Sequence, residues 1–558
     1  MGDMNLGDGD RVTAERGIEN HASWKTKGMD YLMRQFCSYG PVDCEEHFCV
    51  PREDMVSRCM EQLIGNPDKG GHYFTIWAPR QSGKTWLMNE TVKEIHERHG
   101  EQFAIHQISL GKLRKTNLEV KGQWGAFDIP LPFSKLVRRF FPGSPEIQDW
   151  DDFVGLFSVE AGLWDKPLIL FIDEVDTVSA GFLDILVGHF REMFLERNRN
   201  HLHGLALIGV RAVLGVESGR GSPFNIQRSL HVPNFTPEEV TELFRQYQEE
   251  SGQTVEPRVV RSVYETTRGQ PGLVGWLGEL LTDRYNPDQH KAITISAWED
   301  VYHIAIHKEW NNTVLNLIKK ARGRYAEYVM DLFVRPDLPF SIRAEWCGYL
   351  YLNGIIDELT VVDPSGEKKS VCRFSSPFVQ HCLFDTFTMD FIGDRMPILA
   401  LEPTDDISVI WKAPELDLTG LMERYKAYLS RLKSAGLNPW KDQPRRTDMR
   451  LTEAVGHFHL YAWLQRSVGK YCTVSPEFPT GNGRVDLHLK CGDKVGIIEV
   501  KSFTDLAAMD VIRRQAAAYA KSLSLPQVTI ALFVPVEDED ILRRLSGETV
   551  IDDTRVTV

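Results

Sequence analysis

Ala78-Pro79-Arg80-Gln81-Ser82-Gly83-Lys84-Thr85 says more about the architecture than any other part of the chain. It stands between a short apolar run at 74–78, Phe-Thr-Ile-Trp-Ala, and a helical pattern from 84 to about 96. It therefore reads as the loop joining a buried strand to a helix. The spacing is that of a phosphate-binding loop, with Ala78 in place of the first Gly. Such a loop turns successive backbone N–H groups, here those of Gln81 and Ser82 among them, inward on phosphate oxygens. The helix N-terminus adds partial positive charge. Gly83 lets the backbone approach closely, Lys84 brings an ammonium to the β and γ phosphates, and Thr85 offers a hydroxyl to Mg²⁺.

Further along the chain, residues 167–172 form a continuous apolar run that ends in Asp173-Glu174. A run of that kind is a strand covered on both faces. An acidic pair at its carboxyl end can hold Mg²⁺ through water (Asp173) and polarise an attacking water (Glu174). Strands at 103–110 and 205–210, with helical segments between them, complete a parallel α/β layer that binds ATP or GTP. Helices at 237–250 and 257–267 come next as a small lid.

Further residues carry a family likeness. Val50-Pro51-Arg52-Glu53 resembles the nucleotide-side motif that precedes the core of STAND-type, AAA-like P-loop NTPases. Ala206 to Arg211 resembles the strand whose terminal Arg senses the γ-phosphate, although Gly209-Val210 stands where a Thr pair is usual. Gly269-Gln270-Pro271 resembles the Gly-x-Pro module that closes the site from the lid, with Pro271 against the nucleotide. The likeness implies a switch, closed with ATP and open after hydrolysis, with self-association through the NTPase module. Helices at 313–335 and 341–353, then a hairpin turning at Pro364-Ser365-Gly366, resemble a winged helix.

A second constellation lies near the carboxyl end: Gly483-Arg484-Val485-Asp486, then Ile497-Ile498-Glu499-Val500-Lys501. Glu499 and Lys501 are two apart on an apolar strand and so share a face. Two carboxylates and an ammonium on one face suit metal-assisted phosphodiester hydrolysis. Asp486, Glu499 and the carbonyl of Val500 would bind Mg²⁺, while Lys501 orients or deprotonates water. The pattern resembles the PD-(D/E)XK nucleases, with Val485 in place of the Pro. Glu453 sits where that family has an additional metal-side acid. Gln515 and Tyr519, i and i+4 on the next helix, resemble the Gln-x-x-x-Tyr of its RecB-like branch.

The reading is thus a multi-domain α/β chain: tail 1–35, P-loop NTPase core 36–225, helical lid 226–311, winged-helix-like unit 312–401, linker 402–418, and a restriction-endonuclease-like domain 419–558. Its length of 558 residues needs several cores. No run approaches the ~20 apolar residues of a membrane span. Nine cysteines without a Cys-x-x-Cys imply free thiols and a cytoplasmic location. Cys37, Cys44, His47 and Cys49 match no standard zinc spacing. The net charge of −14 argues against a uniformly basic nucleic-acid coat. From residue 421 onward, however, 20 Lys/Arg face 17 Asp/Glu, leaving 44 against 61 in the rest. The carboxyl-terminal unit, with a basic run at 441–450, is the part best suited to a phosphate backbone.

The expectation is an ATP-dependent switch controlling a Mg²⁺-dependent nuclease. DNA is the expected substrate and RNA the alternative; the family likeness implies a prokaryotic role against phage or mobile DNA. The competing readings are a STAND-type regulatory ATPase or a DNA-loading ATPase, in either of which the last domain binds nucleic acid without cleaving it.

Overall fold

The computed structural model describes residues 33–66, 69–113, 129–210, 228–334, 338–362, 367–394, 416–438, 453–469, 471–480, 483–503, 506–534 and 538–558. The amino-terminal half is built on five parallel strands, β1 (Tyr73–Trp77), β2 (Ala104–Ser109), β3 (Leu168–Asp173), β4 (Leu202–Gly209) and β5 (Arg228–His231). Their order in the sheet is β2-β3-β4-β1-β5. Every residue of β3 and of β4 is buried. This is what the unbroken apolar run at 168–172 requires of a strand with helices on both faces. Each apolar side chain so covered contributes about 1.5–3 kcal/mol. One face packs on Phe133, Phe153, Phe182 and Phe190, the other on Trp86, Leu87 and Ile95.

After β5 come the lid helices Pro237–Ser251, Pro257–Thr267, Pro271–Glu279 and Ile295–His307. The first opens on a capping box between Thr236 and Glu239. The segment read as one helix over 313–335 is two, Asn312–Ala321 and Ala326–Val334. A turn at Gly323 separates them. Next stand helix Glu345–Leu352 and the antiparallel hairpin β6 (Ile356–Val362) and β7 (Lys368–Phe374). Helix Pro377–Asp394 closes this unit, where the sequence pattern had marked no separate helix.

The carboxyl-terminal part holds helices Leu418–Ser434 and Glu453–Ser467 against a six-stranded sheet. Its strands are β8 (Thr473–Thr480), β9 (Gly483–Cys491), β10 (Lys494–Ser502), β11 (Gln527–Phe533), β12 (Glu548–Ile551) and β13 (Thr554–Thr557), in the order β12-β13-β11-β10-β9-β8. β8, β9 and β10 are antiparallel, and β11 runs parallel to β10 after the helix Leu506–Ser522. The helix Glu539–Leu545 and the hairpin β12–β13 were not foreseen.

Two further expectations differ from the observed structure. Arg34, placed in the tail, bonds Glu250 at 2.6 Å, and Gln35 bridges to His47. Cys44 and Cys49 form a disulfide rather than free thiols, because a turn closed by Asp43 and His47 brings their Cα atoms to 5.5 Å. A zinc site there loses two of its candidate ligands. Cys472 and Cys491 are likewise joined, carried together where β8 pairs with β9. The linker at 402–418 lies outside the described residues up to 415. Among the described residues no helix is long and apolar enough to cross a membrane.

Candidate functional sites

β1 and β3 flank β4 and end at the same edge of the sheet, the edge where open α/β folds bind ligands. Beyond β1 the loop turns through Gln81 at φ 55° and Gly83 at φ 85°. Gly83 is required by that left-handed backbone, not by crowding, since an added Cβ would meet nothing within 4 Å. Ala78 has no positive φ, so a side chain is tolerated where the common pattern has Gly. Lys84 opens the helix Lys84–His99, and its Nζ donates to the carbonyls of Ala78 and Pro79 at 2.8 and 2.6 Å. Burial pulls its ammonium down to about 8, against the opposing pull of Asp176 and Asp173. Thr85 Oγ1 donates to Asp173 Oδ2 at 3.1 Å, and Ser82 is buried. Asp173 is itself buried, which raises its carboxyl above the ordinary range.

Glu174 stands at φ 60° and accepts a 2.6 Å hydrogen bond from Ser109 Oγ, at the end of β2. Ser109 pairs with Asp173 in the β2–β3 register. The sequence offered no signal for it, because a serine at a strand end is common.

The lid, and the helix Asn312–Ala321 that follows it, are fastened to the loop. Gly272 N donates to Gln81 O at 3.0 Å, Gln270 Nε2 to Arg80 O at 3.0 Å, and Thr313 Oγ1 to Gln81 Oε1 at 2.5 Å. A cavity of about 390 Å³ lies between the segment around Phe36 to Val50, the loop, and Pro271. Arg52 borders it, at φ 40°, but its guanidinium is held by Glu239 at 2.8 and 2.9 Å and by the carbonyl of Pro233 at 2.8 Å. It also lies over the Phe235 ring. Arg52 thus ties the start of the core to the lid. Arg211 lies outside the described residues.

The second constellation assembles on β9 and β10. Lys501 Nζ lies 3.1 Å from Asp486 Oδ2, 3.4 Å from Glu499 Oε2 and 3.1 Å from the Val500 carbonyl. Asp486 Oδ2 also accepts from Val500 N at 2.7 Å. Glu499 is only 2% exposed, and its Oε1 has no hydrogen-bond partner among the described residues. Burial first, and the nearby Asp486 second, push its carboxyl up to about 8 despite Lys501. His457 Nε2 lies 2.8 Å from the Asp486 carbonyl. His459 lies against Tyr425 OH at 2.6 Å, and His488 is buried and held neutral. On the helix Leu506–Ser522, Gln515 Nε2 donates to Tyr519 OH at 2.6 Å. Glu453 is the first residue of its helix, and its side chain lies outside the described residues, as does the basic run 441–450.

A five-stranded parallel sheet, a Gly-Lys-Thr loop after β1 and a buried acid at the end of β3 define the amino-terminal half as a P-loop fold. No family model matches the sequence, and no curated protein is significantly similar to it. Among solved structures the chain is similar to the Walker-type ATPase PABY2304 of Pyrococcus abyssi: 14% identity and TM-score 0.41, over 62% of this chain and 99% of that one. It is also similar to the RuvB Holliday junction branch migration motor of Thermotoga maritima: 13% identity and TM-score 0.31, over 58% and 92%. A third is the Aeropyrum pernix ORC1 protein in complex with DNA, with 14% identity and TM-score 0.28, over 61% and 94%.

Proposed function

We propose that this chain is an ATP-binding and ATP-hydrolysing switch that controls a Mg²⁺-dependent nuclease acting on DNA, with RNA the competing substrate. The observation that carries the nuclease half is the shared ammonium: Lys501 faces Asp486 and Glu499 at 3.1 and 3.4 Å beside a buried carboxylate oxygen without a partner among the described residues. An unpaired buried oxygen of this kind costs several kcal/mol unless a cation meets it. Oxygen donors alone suit Mg²⁺.

In this reading Gln81, Ser82 and Gly83 present backbone N–H groups to the phosphates, and Lys84 moves from the loop carbonyls to phosphate oxygens. Thr85 and Asp173 hold the metal side of that site. Glu174, once released by Ser109, orients the attacking water. Pro271 closes over the nucleotide, Arg211 senses the γ-phosphate, and Arg52 keeps the lid in reach. In the second site Asp486, Glu499, the Val500 carbonyl and Glu453 are the metal-side ligands. Lys501 positions the water and balances charge on the scissile phosphate, while Gln515 and Tyr519 border the substrate path. Mg²⁺ in these two oxygen-rich sites supplies Lewis-acid stabilisation of phosphate charge.

The units assigned here are the NTPase core 36–225, lid 226–311, winged-helix-like unit 312–401, and nuclease-like domain 419–558. A role against phage or mobile DNA rests on family likeness alone.

The test uses the full chain with plasmid and single-stranded DNA, Mg²⁺, and with or without ATP. Glu499→Ala abolishes cutting while ATP affinity stays within about twofold of wild type. Lys84→Ala weakens ATP binding by about 10–100-fold, the equivalent of a lost charge-assisted contact. Cutting that survives Glu499→Ala, or unchanged affinity in Lys84→Ala, defeats the corresponding half of the assignment.

A further inference from the structure

Three helices from different parts of the chain meet away from both sites. Helix Ile295–His307 of the lid ends in His307, helix Pro377–Asp394 carries His381 and Asp385 one turn apart, and helix Glu453–Ser467 brings Tyr461. One ligand atom from each of His307, His381 and Asp385 lies within 4.8 Å of the other two. We propose that these three side chains form a site for a divalent transition-metal ion of the Zn²⁺ class, which clamps the lid to helix Pro377–Asp394, itself tied to the carboxyl-terminal unit through Tyr461. The proposal goes beyond the nucleotide and nuclease readings and does not depend on either.

The spacing is that of ligands, not of hydrogen bonds. His307 Nδ1 and His381 Nε2 face the same oxygen, Asp385 Oδ2, at 3.6 and 3.9 Å. Those distances exceed the ~2.7–3.2 Å of an N–H···O bond. They are a few tenths of an ångström wider than the roughly 3.3 Å between ligands bound at about 2.0–2.1 Å to a tetrahedral ion. His381 is fully buried, and its Nε2 has no hydrogen-bond partner among the described residues. A buried imidazole nitrogen aimed at two other ligand atoms is one that a metal satisfies.

The surrounding contacts orient two of the three ligands in the way metal sites do. His381 Nδ1 lies 2.9 Å from Tyr302 OH; as the N–H donor there, it leaves the Nε2 lone pair for the ion. Tyr461 OH donates to Asp385 Oδ1, which leaves Oδ2 for the ion. Gln465 Nε2 in turn donates to Tyr461 OH at 2.8 Å. Two imidazoles and one carboxylate select Zn²⁺ and its first-row neighbours over Mg²⁺, which prefers oxygen alone. His307, with about a quarter of its side chain exposed, leaves a path for the ion and room for a water as fourth ligand.

The position gives the site its consequence. Tyr461 shares its helix with His457, which touches the Asp486 carbonyl, and Phe384, beside Asp385, stacks on Phe458. An ion here fixes the end of the lid helix against helix Pro377–Asp394, which packs through Phe384 and Asp385 on the helix that carries His457.

The test uses tag-free full-length protein stripped with a chelator and titrated with Zn²⁺ alone, with uptake measured by elemental analysis. Wild type and the control His290→Ala, an exposed turn residue, take up one equivalent more than His307→Ala or Asp385→Asn. Co²⁺ gives visible d–d absorption in wild type that these two variants lack. At about a hundredfold excess over Kd, Zn²⁺ raises the Tm of wild type by a few degrees and leaves that of both variants unchanged. Equal uptake by wild type, His307→Ala and Asp385→Asn, or no uptake by wild type, overturns the proposal. His307→Ala, at the exposed side of the cluster, tests the site without disturbing the core.

Discussion

Buried titratable groups concentrate around the helix Glu453–Ser467, and His459 is the one whose consequence is simplest. It is buried beside Tyr425, and burial holds its imidazole down at about 4, against about 6.5 when unfolded. Because the folded value is depressed for a base, the unfolded chain binds the extra proton first as pH falls. The stabilisation is complete above pH 6.5 and is lost between 6.5 and about 4. At about 1.4 kcal/mol per pH unit the loss approaches 3 kcal/mol. His459→Gln keeps a polar partner for Tyr425 and removes the titration. Urea midpoints of its carboxyl-terminal unit then fall less steeply over that window than those of wild type, with His488 still adding its own loss; parallel curves would refute the assignment. Nothing local marks this histidine. The places of Lys84 and Thr85 at a helix start and of Asp173 at a strand end are legible because they follow from neighbours in sequence. Ser109, Thr313 and the His307–His381–Asp385 cluster are not, because each acquires its partner only through tertiary contact.

At the scale of elements, the strands β1 to β4 were readable within a few residues because a parallel sheet buried on both faces demands continuous apolar runs. The helix Pro377–Asp394 was missed for the same physical reason turned around: it packs on several sides, so its apolar residues keep to no single stripe. Sequence could not show how closely the lid helix Pro271–Glu279 abuts the phosphate loop. A Cβ on Gly272 would lie 2.4 Å from Gln81 Oε1 and 2.6 Å from Gln81 Cβ. Gln81 cannot easily yield, being held by Thr313 and by the Gly272 N–H. Gly272→Val therefore pushes the lid off the loop at a cost of about 1–3 kcal/mol. Most of that cost falls on the closed arrangement, so ATP affinity drops by about 5–100-fold with the fold retained. Titration of a fluorescent ATP analogue measures the drop, and wild-type affinity would mean that the lid does not bear on the nucleotide.

Across the whole molecule the two candidate sites must communicate if one is to control the other, and β9 offers a direct route. Asp486 and Lys490 lie on this strand, and Lys490 Nζ reaches Glu299 at 3.1 Å and Asp300 at 3.3 Å on the lid helix Ile295–His307. The strand that carries a carboxylate of the second site is thus pinned to the lid that packs on the first. An ion pair of this exposure contributes about 0.2–1 kcal/mol. Reversing the charge replaces two attractions by two repulsions, a swing of about 1–2 kcal/mol, or about 5–30-fold in the balance between docked and undocked arrangements. Lys490→Glu should leave ATP affinity in the absence of DNA, and cutting in the absence of ATP, near wild type. The ratio of cutting rates with and without ATP should move toward one by about that factor. Because linkage of binding is reciprocal, the effect of DNA on ATP affinity shrinks by the same factor as the effect of ATP on DNA affinity. Restoring opposite charge, with Glu299→Lys and Asp300→Lys in the same chain, brings the ratio back. A ratio that stays at its wild-type value in Lys490→Glu would show that this contact carries no signal, and that the two sites share a chain without sharing a switch.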